Sequence, residues 1–333
     1  MLNDYKGLKL IASSNPHIRN NEDTRSIMLD VIIALCPALI MSVIRFGFRA
    51  LISVLVSVVS AMFFEWLYRK LMHKTQTLGD LSAAVTGVLL AFVCPVTLPY
   101  WMLIVGNFFA IFLVKQLYGG LGKNFINPAL AGRAFLLASW PVAMTTWVAA
   151  RSHVGLGSTA DVVSAATPMA ILKGSAEGDL PSALSVFLGV TGGSMGEVSA
   201  IALLIGGIYL LVRKVITIQI PASYILTVAV LAVIFPAEGY GHLEYMLYAI
   251  FGGGLMLGAI FMATDYSTTP VSKKGQIVFG IGCGLLTTMI RFFGGYPEGV
   301  CYSILLMNTT VWLIDKYTRP TKFGAPAKQK KEG

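Results

Sequence analysis

Charge is what this sequence has least of. Only 12% of its 333 residues are Asp, Glu, Lys or Arg, about half the share in a soluble globular domain. That scarcity, beside 56% hydrophobic residues and a mean hydropathy of +0.73, excludes an ordinary soluble globule and points to an integral membrane protein. Paired cysteines are also missing. Cys36, Cys94, Cys283 and Cys301 fall singly in apolar runs with no Cys-x-x-Cys spacing, so they read as buried thiols acting as small hydrophobes. Histidine is scarce too: His17, His73, His153 and His242 are scattered among polar connections and share no metal-ligand spacing. No protein-only zinc or haem site is expected. The first apolar segment follows about 25 polar residues with no small-residue cleavage site, which marks it as a retained span instead of a removed leader.

What the chain has in quantity is apolar runs. Crossing a ~30 Å hydrocarbon core takes about 17–25 helical residues, fewer where half-helices pair or the bilayer thins. Ten runs meet that description, at 27–45, 49–68, 81–97, 100–114, 125–140, 197–212, 221–237, 245–263, 276–293 and 299–315. With the N-terminus in the cytoplasm, 19 of the 25 lysines and arginines fall on that side, leaving Arg45, Arg49, Arg133, Arg151, Lys173 and Arg291. The bias predicts cytoplasmic termini and an extracytoplasmic 141–196 connection. It also explains the net charge of +9 as topology, not nucleic-acid binding. The expected organisation is a cytoplasmic segment 1–26, a membrane repeat 27–140, the connection 141–196, a second repeat 197–315 and a basic tail 316–333.

The repeats show in the third and eighth runs. Gly87 to Pro99 matches Gly258 to Pro270, with Gly and Pro twelve apart in both, and Tyr118-Gly119-Gly120 matches Phe293-Gly294-Gly295. Five spans per repeat is odd, so the second copy must be inverted. The predicted fold is all-α, with about ten transmembrane helices in two five-helix inverted repeats and broken or re-entrant half-helices. Such folds place their sites at helix breaks between the halves.

Several residues stand out against the apolar background. The Gly119–Ala134 stretch is too polar and glycine-rich for lipid-exposed helix, so it should be buried or line a cavity. It has no preceding strand, which argues against a nucleotide-binding glycine loop. Asn127-Pro128 reads as a re-entrant turn. Arg133 suits pairing with a phosphate or a carboxylate, or snorkelling to the interface. Asp30, Glu65, Asp80 and Asp265 are the main acids in or at the ends of spans, each a candidate for an ion path or a structural pair. Glu65 stands four residues before Arg69, a helix-face pairing distance, and Asp265 occupies the place of Cys94 in the other repeat. In Asp161 to Pro168, Thr167 before Pro168 reads as a helix N-cap or as a nucleophilic hydroxyl on the outer side. Small Ser164, Ala165 and Ala166 leave it open to a modifying enzyme.

An ordered set of blocks spans nearly the whole chain: Phe64-Glu65-Trp66 with Arg69-Lys70; Gly79-Asp80 to Thr86-Gly87; Asn124 to Ala129 with Gly132 to Phe135; Asp161 to Thr167; Phe261 to Asp265 with Pro270; and Tyr296 to Gly299. With these blocks the chain resembles the RnfD family, the D-type membrane subunits of Rnf complexes, which are membrane-bound ferredoxin:NAD oxidoreductases. More distantly it resembles the B-type subunits of sodium-pumping NADH:quinone oxidoreductases. The resemblance implies that Thr167 carries FMN through a phosphodiester, installed by a flavin transferase outside the cytoplasm, with Asp161 and Ser164 in the recognised motif. It implies a second, non-covalent flavin, riboflavin in some members. The Asn127 and Arg133 region and the Thr264–Pro270 turn are where that flavin is sought, because broken helices leave backbone polar groups free at depth.

The implied role is an electron-transfer subunit of the bacterial cytoplasmic (inner) membrane, coupled to Na⁺ or H⁺ export and inactive alone. The implied partners are the other membrane and peripheral subunits of the complex, including a second flavin-bearing subunit and iron–sulfur subunits. Glu65 and Asp265 are the ion-path candidates. No residue is assigned as catalytic, since the flavin supplies the chemistry. The bundle alone fits equally a channel or secondary transporter without a redox role.

Overall fold

The computed structural model describes residues 23–148 and 166–319, apart from 177, 190, 198, 238, 296 and 297. Among these residues the fold is all helical. Helix α1 (Thr24–Phe46) starts with a reciprocal cap, Ser26 N donating to Asp23 Oδ1 at 2.8 Å and Asp23 N to Ser26 Oγ at 3.2 Å. That arrangement satisfies amide groups that a helix start leaves free. Gly47 alone joins α1 to α2 (Phe48–Leu71); its φ of +80° lets the chain reverse in one residue. Then come α3 (Ser82–Phe92), α4 (Tyr100–Gln116, π-helical from Phe108) and α5 (Pro128–Ser139). Three short helices follow, α6 (Pro141–Thr145), α7 (Pro168–Leu172) and α8 (Ala183–Leu188). The second half comprises α9 (Ala200–Val212), α10 (Gln219–Ile234), α11 (His242–Phe251), α12 (Leu255–Met262, π-helical from Gly258), α13 (Lys273–Phe293) and α14 (Val300–Tyr317).

Each of the ten predicted runs contains a helix, but not each is a full span. Among the described residues only α1, α2 and α13 are long and apolar enough to cross a membrane by themselves; α11 and α12, bent by 58°, make a fourth if they act as one. The shortfall has local causes. The 81–97 run stops being helical at Phe92, where Pro95 and Pro99 remove amide donors. Arg49 fills the gap by donating to Val96 O at 2.9 Å and Thr97 O at 3.4 Å. The 245–263 run breaks at Gly252–Gly254, where Arg291 donates to Ala249 O (2.7 Å), Gly252 O (3.2 Å) and Gly253 O (3.3 Å). Irregular backbone at depth needs such internal partners. Arg49 and Arg291, counted among loop charges from the sequence, are therefore buried caps of broken helices.

Packing relates the two halves. In the first, α2 lies against α3 and α4, and α4 against α5; in the second, α10 lies against α11 and α13, and α13 against α14. Across the halves α1 packs on α9, and α5 on α14. Small residues allow the close crossings: a Cβ on Gly206 of α9 would sit 2.1 Å from Ala34 O of α1. Each half also buries a hydrogen-bonded polar knot. Asn107 Nδ2 donates to Ser57 Oγ (2.8 Å) and Ser60 Oγ (3.0 Å); Tyr224 OH bonds Thr287 Oγ1 (2.5 Å) and Ser303 Oγ (3.0 Å). The outer faces are apolar and exposed, as at Ile40, Ile44, Val59, Ile208, Leu226 and Met289, the surface a lipid solvent favours. Cys36 lies on this face, so the expectation of four buried thiols holds for Cys94, Cys283 and Cys301 only.

The 141–196 stretch is tied to the helical bundle. Its end threads back into the bundle, with Met195 N donating to Cys94 O at 3.1 Å and Gly196 N to Phe92 O at 2.8 Å. A Cβ at Gly196 would lie 2.6 Å from Phe92, so only glycine permits that approach.

Candidate functional site

Two cavities lie between the halves, at opposite ends. The end where α5 finishes and α14 starts holds a cavity of about 210 Å³, lined by Arg133, Trp147, Thr167, Glu298 and Tyr302 among others. Thr167 is the N-cap of α7: its Oγ1 accepts from Ala170 N at 3.3 Å, and Pro168 takes the first helical position. The helix is held in place by Met169, packed against the Gly252–Gly253 break, and by Lys173, whose ammonium donates to Gly294 O. Partial burial lowers the Lys173 pKa below the usual lysine value. Thr167 is only 3% exposed, so the expectation of an open hydroxyl is corrected: the side chain faces a cavity and not bulk solvent. Arg133, on α5, pairs with Glu298 through Nη2 at 2.5 Å, both side chains 8% exposed. The pair is incomplete, because among the described residues Arg133 Nε and Glu298 Oε1 are buried without a hydrogen-bond partner.

The other cavity, about 70 Å³, sits where α3 and α5 begin and α12 ends. Its lining includes Ser82, Thr86, Lys115, Asn124, Asn127, Thr264, Asp265 and Ser267. Lys115 donates to Glu65 Oε2 at 2.9 Å and to Ser82 Oγ at 2.6 Å; Ser82 in turn donates to Asp80 Oδ1 at 2.6 Å. Glu65, 1% exposed, also accepts from Thr77 Oγ1 at 2.6 Å and lies 3.8 Å from Arg69 Nε. Asp265 accepts from Ser267 Oγ (3.0 Å) and Thr268 Oγ1 (3.1 Å), with no ion pair among the described residues. Asn127 caps α5 by accepting from Ala129 N and Leu130 N, and its Nδ2 donates to Met262 O of α12 at 3.1 Å, tying the halves together.

The sequence profile of the NQR2, RnfD, RnfE family matches residues 11–324. The chain belongs to that family. It is 50% identical over 327 residues, 98% of both chains, to the D-type subunit of the Na⁺-translocating ferredoxin:NAD⁺ oxidoreductase complex of Acetobacterium woodii. It is 44% identical over 320 residues, 94% of this chain and 95% of the relative, to the D-type subunit of the proton-translocating ferredoxin:NAD⁺ oxidoreductase complex of Clostridium ljungdahlii. With the D-type subunit of the ion-translocating oxidoreductase complex of Escherichia coli K12 it shares 36% identity over 343 residues, covering 94% and 97%. The family match runs through every residue of both cavities.

In this family member the structure groups the sequence candidates differently from their order in the chain. Thr167 and Arg133 share one cavity. Asn127 and Asp265 share the other, so Asn127 and Arg133 do not form one site even though a single helix carries both. Glu65 meets the second cavity only through Lys115. Asp161 and Ser164 lie outside the described residues. Sequence reasoning missed Lys115, taken for a loop charge but 2% exposed, and it did not single out Glu298 or Glu197. The signal available for Glu298 was a lone acid opening an apolar run, the same argument that singled out Asp265.

Proposed function

We propose that the chain is the membrane electron-carrying subunit of an ion-translocating ferredoxin:NAD⁺ oxidoreductase complex, with FMN held covalently at Thr167. Three named relatives over nearly full length support the complex. The observation that carries the cofactor is the outer cavity itself. Thr167 lines it, and two buried polar atoms of opposite character on its lining residues, Arg133 Nε and Glu298 Oε1, have no partner among the described residues. The donor set fits a phosphoryl group and a polar heteroaromatic ring. The Arg133 guanidinium would hold the phosphate charge, Glu298 would keep that guanidinium in place, and Trp147 and Tyr302 would flank the ring. When bound, the flavin supplies one- and two-electron redox chemistry that no side chain here provides. Thr167 supplies the tether, the cavity excludes bulk water, and neighbouring subunits bring and remove electrons.

Ten crossings in two inverted repeats fit the matched packing of the halves, and the lysine and arginine bias favours cytoplasmic termini with Thr167 on the outer side. On that orientation the second cavity opens toward the cytoplasm, and Asp265 is the ion-path residue, Glu65 being already paired. Mass spectrometry of the Thr167 peptide from the assembled complex should show the mass of an added FMN. Thr167→Ala should abolish flavin fluorescence that survives denaturation and washing. Fluorescence persisting in that variant removes the site assignment, and a complex that never carries covalent flavin favours a transporter without a redox role.

A further inference from the structure

Thr167 lines a second, smaller cavity that none of the other sequence candidates shares. It is about 10 Å³, bounded by Thr167, Thr191, Gly193, Glu197, Gly252 and Gly253, room for about a single water molecule. Among the described residues Glu197 is the one ionisable residue on its wall. Resting on the reading that Thr167 carries the flavin, we infer that Glu197 is the proton-exchanging partner of that redox group, taking up a proton when the group gains an electron and releasing it on oxidation.

The position of Glu197 is built, not incidental. Its loop is pinned to the end of α3 through Met195 N and Gly196 N, and Glu197 N donates to Ser194 O at 3.1 Å. Its carboxylate packs on Gly254, where a Cβ would fall 2.2 Å from Oε1. Gly254 also has φ +70°, so only glycine both adopts this backbone and leaves room for the acid. The charges facing Glu197 come from three helices: Arg133 of α5, Arg291 of α13, and Glu298 just before α14. No ionisable residue occurs in α8, and the acid before it makes no ion pair among the described residues. Arg133 is committed to Glu298, and Arg291 to three backbone carbonyls. Leaving aside the flavin phosphate that Arg133 would hold, the two arginines and two carboxylates balance, and among the described residues Glu197 is the carboxylate of the two with no cation hydrogen-bonded to it.

An electron delivered by a reduced iron–sulfur or flavin partner adds one negative charge beside this balanced set, in surroundings that screen poorly. One proton from the outer aqueous phase, entering by the water-sized cavity, converts the Glu197 carboxylate to the acid and restores the balance. Reoxidation by the next carrier removes the electron, and the proton returns to the same side. One electron and one proton are taken up together and lost together, with no bond to the flavin made or broken by Glu197.

The test is a redox titration, across a range of pH, of the flavin retained at Thr167 in the purified complex, for wild type and Glu197→Gln. The wild-type potential should fall as pH rises through the range in which Glu197 ionises, and the variant should lose that dependence while keeping its covalent flavin. Infrared redox difference spectra of the wild-type complex should show a protonated-carboxyl band that appears on reduction and is missing in E197Q. A wild-type potential independent of pH, or an equal slope in both proteins, overturns the inference while leaving the Thr167 tether intact. Lack of a carboxyl band in the wild type overturns it without recourse to the variant. A chain with no covalent flavin overturns the inference together with the reading beneath it.

Discussion

The two cavities pair similar charges but complete them differently. Around the cavity lined by Asp265, the charged groups are closed: Lys115 bridges Glu65 and Ser82, and Glu65 has two further partners. In the cavity lined by Thr167, Arg133 and Glu298 face each other, yet among the described residues each keeps a buried polar atom unpartnered. Unsatisfied buried groups cost about 1–3 kcal/mol each, so a lasting gap is expected where a further polar group belongs. The contrast separates an incompletely paired end, at the Thr167 cavity, from a pre-wired charge network beside a cavity that Asp265 lines without an ion pair among the described residues.

The largest effects should come from breaking either pair. Arg133→Met strands Glu298, costing about 3–5 kcal/mol, and Lys115→Met, which leaves Glu65 with Arg69 and Thr77, costs less; both are read as lost thermal stability of the detergent-purified complex. The two should differ on rescue. Adding Glu298→Leu to the first should recover most of the loss, whereas adding Glu65→Leu to the second should not, because Thr77 and Arg69 lose their partner too. Equal rescue would erase the distinction between the ends.

Asp265→Asn should reduce ion transport by reconstituted complex several-fold while leaving flavin attachment unchanged. Equal transport by variant and wild type removes Asp265 from the path. Asn127→Ala loses a helix cap, about 1 kcal/mol, together with the tie to Met262 O, and should lower the unfolding midpoint modestly. The smallest effect belongs to Arg213→Ala. Its pair with Asp30 spans 3.1 Å, but the arginine side chain is 51% exposed, so a loss under about 1 kcal/mol is expected. A larger loss would show that Tyr209, which donates to Asp30 at 2.7 Å, depends on that arginine.

Hydropathy alone located the ten helical runs, because burying apolar side chains in lipid needs only composition and length. The break at 93–99 was legible from the glycine and proline spacing of the third run, whereas the break at 252–254 falls inside a run that read as continuous. What filled them was not legible, since Arg49 and Arg291 read equally well as loop charges until their carbonyl partners, 38 to 48 residues away, came into view. Glu65 with Arg69 was readable because four residues make one helical turn, while the stronger partner, Lys115, lies 50 residues off on another helix.

Thr167 shows the same division at the scale of one residue. Thr before Pro determined a helix cap, and the local hydrogen bond to Ala170 N bears that out, for capping depends on neighbours within one turn. The blocks along the chain determined the family. Only the tertiary structure decided that the threonine is buried between two cavities, with Arg133 and Glu298 on one side and Glu197 on the other. Those contacts join residues from helices far apart in sequence, and no local rule encodes the distance between them.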